Sequence, residues 1–161
     1  MDLLILVTLG TQDKPFIRLI KAVEKQVELG NIKEEVVVQA GCTKYKSNLI
    51  EVFDYISIDE FNNYIDKANI IITHAGVGTI INGLKKGKKL IVAARLKKYK
   101  EHVNDHQLQI LENFSQDGYI LPLEDFYKLN DVIELSKEFV PREFVSNNDS
   151  FIANLIKEID E

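Results

Sequence analysis

Two short stretches combine glycine and threonine with a polar or imidazole side chain at the point where an apolar run stops. Gly10-Thr11-Gln12 follows the run at residues 3–7, and His74-Ala75-Gly76-Val77-Gly78-Thr79 follows the run at 69–73. Small residues at such a place let backbone N–H groups close on an anion, and a helix starting there adds the positive end of its dipole. A diphosphate suits that arrangement. The spacing Gly76-x-Gly78-x-x-x-x-Gly83 is neither the G-x-G-x-x-G of dinucleotide folds nor a Walker lysine signature, which disfavours NAD and ATP. A glycine-rich turn is by itself often plain strand-to-helix geometry, so its weight comes from its neighbours.

Three histidines are the next candidates. His102 and His106 are four apart and share a helix face if their segment is helical, with His74 a possible third zinc ligand. The segment lacks the glutamate of the H-E-x-x-H signature, and no D-x-D triplet occurs in the chain, so no metal is expected. His74 then reads either as a satisfied structural residue or as a donor to phosphate or sugar. Cys42, the single cysteine, has no disulfide partner within the chain and reads as structural or incidental, as expected in a reducing compartment.

Strands and helices must alternate to place both turns at one edge. A continuous apolar run at 3–7 predicts a strand central in a parallel sheet, and the largely apolar stretches at 36–38, 52–56, 69–73, 90–93 and 119–121 predict five more. Between them, Phe16, Ile20, Val23 and Val27 predict a first helix that Gly30-Asn31 stops. Ile58, Phe61 and Ile65 predict a second, the glycine-rich turn opens a third that ends near Gly87, and Val103, Leu108, Leu111 and Phe114 predict a fourth. The pattern implies an α/β, Rossmann-like parallel sheet with helices on both faces, which binds ligands beyond the carboxyl ends of its strands. With 161 residues and 45% hydrophobic content, one domain over 1–161 is expected. A capping box at Ser146-Asn147-Asn148-Asp149 and an apolar stripe at Phe151, Ile152, Leu155, Ile156 and Ile159 predict a terminal helix over about 147–160, either packed on the sheet or docking a partner.

The net charge is −5, yet Lys85, Lys86, Lys88, Lys89, Arg95, Lys97, Lys98 and Lys100 fall in one window without an acid. Such a cluster is either a solvated face or a surface meeting phosphates of a ligand or of anionic lipid. Nucleic acid is disfavoured, because Tyr99 is the one stacking aromatic of the window and the chain as a whole is acidic. Neither a signal peptide nor a membrane-spanning run is evident, so a cytoplasmic protein is expected.

Taken together, Thr73 to Ile80, Gly87 to Val92 and Glu101 to Gln107, with Val7 to Gln12 and Gln39-Ala40-Gly41, resemble the C-terminal domain of glycosyltransferase family 28. The likeness extends to stand-alone versions of that domain, soluble subunits of lipid-linked GlcNAc transfer and of exopolysaccharide and capsule synthesis. It implies the donor half of a GT-B transferase, with a UDP-sugar as donor substrate and no cofactor. Gly10, Thr11 and Gln12 match the first glycine-rich loop, near phosphate and sugar, and Gly76, Gly78 and Thr79 match the diphosphate loop, with His74 the candidate catalytic residue of this chain and a candidate for donor binding. Ile58 falls where main chain recognises the base, and Gln107 with His106 where donor sugar hydroxyls are read, in a run that Glu101 begins. Asn82 stands where a carboxylate often binds ribose. The resemblance further implies a membrane-associated partner subunit that binds a lipid-linked sugar acceptor and supplies the general base, with this chain recruited to the cytoplasmic face of the membrane. The alternatives are a non-catalytic enhancer of a partner transferase and a nucleotide-sensing scaffold domain.

Overall fold

All five residues of β1 (Leu4–Thr8) are buried, so the strand needs cover on both faces and neighbours on both sides. The computed structural model describes residues 3–145. In it, β1 lies between β2 (Glu35–Gln39) and β4 (Ile70–His74), both parallel to it. With β3 (Glu51–Phe53), β5 (Lys89–Ala93) and β6 (Leu121–Pro122) the sheet has six parallel strands in the order β3-β2-β1-β4-β5-β6. Because side chains alternate along a strand, Ile5, Val7, Ile72 and Ile91 point to one face and Leu6, Ile71, Leu90 and Val92 to the other. The first face packs on α1 (Ile17–Glu28) and α5 (Leu129–Ser136), through Ile20, Val23, Leu129 and Ile133. The second packs on α2 (Ile58–Lys67), α3 (Val77–Lys85) and α4 (His106–Gln116), through Ile65, Ile80, Leu84, Ile110 and Phe114.

Several expectations shift against this frame. The third strand stops at Phe53 rather than running to 56, and the last one begins at Leu121 rather than 119. Ile58 opens α2 but is 79% exposed, so it does not share the buried face with Ile65. Val103 lies in the loop before α4 and Leu108 points outward; the buried face of that helix is Gln107, Ile110, Leu111 and Phe114. Periodicity assigned an outward leucine to the core because it could not see the buried glutamine. Helix α5 escaped the sequence reading altogether, since its apolar repeat covers barely two turns. The terminal helix expected over 147–160, with its possible docking role, lies outside the described residues.

Two local devices fix the ends that matter later. Phe16, at the start of α1, has no side-chain cap of its own, and its N–H instead donates to Thr43 Oγ1 at 3.0 Å, from the helix-free connection between β2 and β3. Helix α3 starts at Gly76 with neither a capping side chain nor an acid in its first turn, which leaves its N-terminus open. Near its other end, a Cβ on Gly83 would fall 2.9 Å from Leu90 Cδ2 in the core. Alanine is favoured over glycine in a helix by about 1 kcal/mol, whereas overpacking a filled core costs about 1–3 kcal/mol. Leu90 is fully buried and has nowhere to move. Gly83→Ala is therefore expected to lower stability by about 1 kcal/mol despite its better propensity, read as a lower urea midpoint at unchanged slope.

Candidate functional site

From β1 the chain passes to β2 on one side, and β4 joins on the other, so the strand order reverses between β1 and β4. At the carboxyl ends of strands, such a switch point opens a crevice. A cavity of about 360 Å³ lies there, lined by Thr8, Gly10, Thr11, Gln12, Gln39, Tyr55, Ile56, Ile58, Phe61, His74, Gly76, Gly78 and Thr79. Its wall carries neither an acid nor a lysine or arginine. Both glycine-rich turns contribute, one from each side of the reversal.

The first turn is held by its carbonyl groups. Gly10 has φ of +78°, a value glycine reaches without strain, and its carbonyl accepts from Gln39 Nε2 at 3.2 Å. Gln39 Nε2 also donates to Asp54 O at 3.2 Å, and its Oε1 accepts from Thr8 Oγ1 at 2.7 Å, so one side chain ties the ends of β1, β2 and β3. The carbonyl of Leu9 accepts from Arg95 Nη2, that of Gln12 from Cys42 Sγ at 3.0 Å and that of Lys14 from Arg95 Nη1 at 2.7 Å. With these carbonyls spent inside the protein, the N–H groups of Gly10, Thr11 and Gln12 have no hydrogen-bond partner among the described residues. The second turn offers the N–H groups of Val77, Gly78 and Thr79, which begin α3 and have no acceptor within it.

His74 stands between the two turns. It is 6% exposed, and a Cβ added to Gly10 or Gly76 would fall 2.3 or 2.6 Å from its Nε2, so only glycine lets both backbones close on the ring. Burial, reinforced by the charges of Arg95 and His102, pushes the imidazole down to about 3. Gln107, the second residue of α4, reaches the other side of the ring, its Nε2 lying 3.2 Å from His74 Nδ1. Its Oε1 accepts from Ala75 N at 3.2 Å and from Arg95 N at 2.9 Å.

Gly10, Thr11, Gln12, Ile58, His74, Gly76, Gly78 and Thr79 thus surround one cavity, whereas Asn82, Glu101, His106 and Gln107 do not line it. Asn82 Nδ2 donates to Asn62 Oδ1 at 3.1 Å. Glu101 is 3% exposed and pairs with both Nε and Nη2 of Arg18 at 2.9 Å, beneath a stack of Tyr99 and Phe126 on the guanidinium. His106 begins α4, and its buried Nδ1 has no partner among the described residues. His102 lies in the preceding loop and its Nδ1 accepts from Asn104 N at 3.3 Å; burial and then Arg95 lower its pKa. Among the described residues no three His, Cys, Asp or Glu side chains are grouped so as to hold a metal ion. Thr8, Gln39, Tyr55, Ile56 and Phe61 also line the cavity and were missed. Gln39 left two signals, as a polar residue closing the apolar run of β2 and as part of the family-like Gln39-Ala40-Gly41.

The basic window is not one surface. Arg95 is 1% exposed and faces inward. Lys88 Nζ donates to the carbonyls of Asp66 and Ala68 and Lys89 Nζ to those of Ser136 and Lys137, so both lysines satisfy helix C-termini. Lys85, Lys86, Lys88 and Lys89 sit at the amino end of β5, and Lys97, Lys98 and Lys100 beyond its carboxyl end, with about 3.3 Å of rise per strand residue between them. Of the two groups, the second shares the edge that holds the cavity.

Against known proteins, the family model of the glycosyltransferase family 28 C-terminal domain matches residues 4–157. The UDP-N-acetylglucosamine transferase subunit ALG13 of Candida albicans is 29% identical over 110 residues, which cover 68% of this chain and 32% of that protein. The chain therefore spans about a third of that relative. Among solved structures, the NMR solution structure of ALG13 superposes with a TM-score of 0.61 at 20% identity, covering 99% of this chain and 98% of that one. The glycotransferase of kitacinnamycin gives a TM-score of 0.63 at 18% identity over 99% of this chain and 39% of its own. These likenesses establish an α/β, Rossmann-like fold shared with part of a glycosyltransferase.

The titration of His74 has a consequence for stability. Its folded-state value of about 3 lies below the ordinary 6.5, so the unfolded chain binds the extra proton between those values. Stability is complete above about pH 6.5 and falls as pH drops toward 3, by up to about 1.4 kcal/mol per pH unit from this residue. His74→Asn keeps a small polar group but removes the titration, and its urea midpoint should decline less than wild type between pH 7.5 and 5. Parallel decline in the two proteins would show that His74 does not carry the acid sensitivity.

Proposed function

Because the chain belongs to the glycosyltransferase family 28 C-terminal domain family, matched over residues 4–157, we propose that its cavity binds a UDP-sugar and that the protein is the donor-binding subunit of an inverting glycosyltransferase. The observation that carries this reading is the pair of turns with unpartnered N–H groups that line one cavity on either side of His74. Hydrogen-bond donors of that kind, fixed by carbonyls already committed elsewhere, match the two phosphates of a nucleotide sugar. At the other end of the cavity Tyr55, Ile56, Ile58 and Phe61 give an apolar and aromatic lining suited to the base.

In an inverting transfer, an acceptor hydroxyl attacks the anomeric carbon from the face opposite the diphosphate, while a general base takes its proton. The leaving diphosphate gains negative charge as the bond breaks. Preorganised N–H groups at Gly10–Gln12 and Val77–Thr79 take up that charge at no reorganisation cost, with the α3 dipole behind them. A metal ion is not required for that task. His74 is a poor base with its pKa near 3, so it belongs with the leaving group. No carboxylate lines the cavity. The base is therefore assigned to a second, membrane-associated chain that also binds a lipid-linked acceptor, a reading supported by the relative's name of transferase subunit. Transfer of a hexose or N-acetylglucosamine in surface polysaccharide or glycan synthesis is the process proposed. The chain would act as one donor domain on the cytoplasmic face of the membrane.

A second reading, an enhancer subunit without its own donor chemistry, is favoured by Asn82. Where the family often has a carboxylate for ribose, its amide is turned to Asn62. Donor binding by the isolated chain separates the two. A Cβ on Gly78 would meet no protein atom within 4 Å, so a substitution there fills the cavity without disturbing the fold. UDP is expected to raise the Tm of wild type, and Gly78→Val should keep the ligand-free Tm within a few degrees yet bind UDP at least tenfold more weakly. An equal UDP-induced shift in both proteins would remove the diphosphate from this turn.

The division of the basic window predicts which lysines meet the membrane. Each Lys near an anionic surface contributes about 1 kcal/mol, screened by salt. Reversing Lys97, Lys98 and Lys100 to glutamate should reduce transfer and co-sedimentation with partner-bearing vesicles at least tenfold at low salt. Reversing Lys85 and Lys86 should leave both within about twofold. The assay includes chelator, in which transfer by the wild-type pair should persist; equal effects of the triple and the double reversal would erase the distinction.

A further inference from the structure

Gln107 is 4% exposed, and every heavy polar atom of its side chain is engaged inside the protein. Two backbone N–H groups, of Ala75 and Arg95, converge on one end of its amide at 3.2 and 2.9 Å. An N–H can only donate, so the atom they share is the oxygen and the amide cannot be turned over. The nitrogen end then lies 3.2 Å from His74 Nδ1 and has hydrogens to give and no lone pair to receive. His74 Nδ1 must accept. A neutral imidazole that accepts at Nδ1 carries its proton on Nε2, the atom pressed against Gly10 and Gly76 on the cavity side.

We infer that Gln107 is a positioning residue that locks His74 in the Nε2–H tautomer, presenting one uncharged donor to the anionic ligand between the two glycine turns. This rests on the donor-site reading above and departs from the family resemblance, which places Gln107 at the sugar hydroxyls. A second proton on Nδ1 would meet the amide hydrogens of Gln107 head on, so the same contact opposes the imidazolium. The donor at Nε2 consequently persists across the neutral range. Binding of a diphosphate diester through it should be independent of pH there.

Gln107→Glu is the informative variant. A carboxylate keeps the acceptor that Ala75 N and Arg95 N require, while replacing the donor facing Nδ1 with a second acceptor. The proton then moves to Nδ1, Nε2 turns a lone pair toward the anion, and only protonation of the ring restores the donor. The first measurement is the ¹⁵N–¹H long-range spectrum of the ligand-free protein, wild type and variant, which assigns the protonated ring nitrogen directly. Wild type should show Nε2–H and the variant Nδ1–H. The second is titration with UDP-N-acetylglucosamine, a diester whose phosphates do not titrate near neutrality. Wild-type affinity should be flat from pH 6 to 8, and the variant's about tenfold weaker at pH 8 and recovering as pH falls. Nδ1–H in wild type, or an unchanged tautomer in the variant, overturns the lock. The expected tautomers with equal, pH-independent affinities overturn the donor role of Nε2. Failure of wild type to bind this sugar nucleotide, with the tautomers as expected, would instead sink the donor-subunit reading and leave the lock standing.

Discussion

A guanidinium with 1% exposure sits under the carboxyl edge of the sheet, and no carboxylate lies within ion-pair distance of it among the described residues. Arg95 cannot shed its charge as a lysine would, so the chain must solvate it from within. At Nη1 and Nη2 it does so with backbone carbonyls, from Leu9 and Lys14 in the first turn and from Glu101 in the loop before α4, while Nε has no partner among the described residues. The Leu9 carbonyl, turned toward the cation, turns the N–H of its own peptide plane, that of Gly10, the other way. The open N–H of Gly10 is thus the other half of the Leu9 peptide plane that faces Arg95, and the open N–H of Thr11 is the other half of the Gly10 plane that Gln39 holds. Phe16 adds a ring 5.1 Å from the guanidinium, and that residue is itself fastened through Thr43.

The loop before α4 is held from its other side by Glu101. Its carboxylate takes Arg18 in a two-bond pair and the N–H of Leu96 at 3.0 Å, while Tyr99 and Phe126 close over Arg18. A bidentate pair with one partner almost fully buried is geometrically exacting. It fixes where α4 begins, and hence where Gln107 stands. From there one amide joins the ends of β4 and β5 to the imidazole. The buried charged side chains at this edge, Arg95 and Glu101, act on the scaffold, and the cavity wall itself is neutral. The donor-site proposal rests on dipoles set in place beforehand, with the field of the buried cation behind the wall.

Much of this was legible in the chain as a string. Uninterrupted apolar runs marked the central strands within a residue or two, because strands buried on both faces leave no room for polar residues. Glycine at positions 10, 76 and 78 marked the turns, for the reason that a Cβ at 10 or 76 would collide with His74 and at 78 would enter the cavity. At the site itself, the residues whose places differ from the expectation are polar or charged. Gln107 and Glu101 were placed on the ligand, and Arg95 on a charged surface, since a side chain's type shows what it can bond to but not which of two possible partners it meets. The eight cations between residues 85 and 100 are neighbours in sequence, yet β5 carries them to opposite ends of the sheet.

What the sequence determined alone was the local and periodic part: a parallel α/β sheet, the two turns at its carboxyl edge and a family likeness resting on those turns. Such features follow from backbone sterics and from hydrophobic spacing over a few residues. Tertiary structure alone decided which polar groups remain free to meet a ligand. That outcome depends on contacts such as Gln107 with Ala75 across 32 positions and Arg95 with Leu9 across 86. Hydrogen-bonding capacity is finite, and a buried donor or acceptor takes whichever partner the folded chain brings within 3 Å or so, which no spacing along the sequence records.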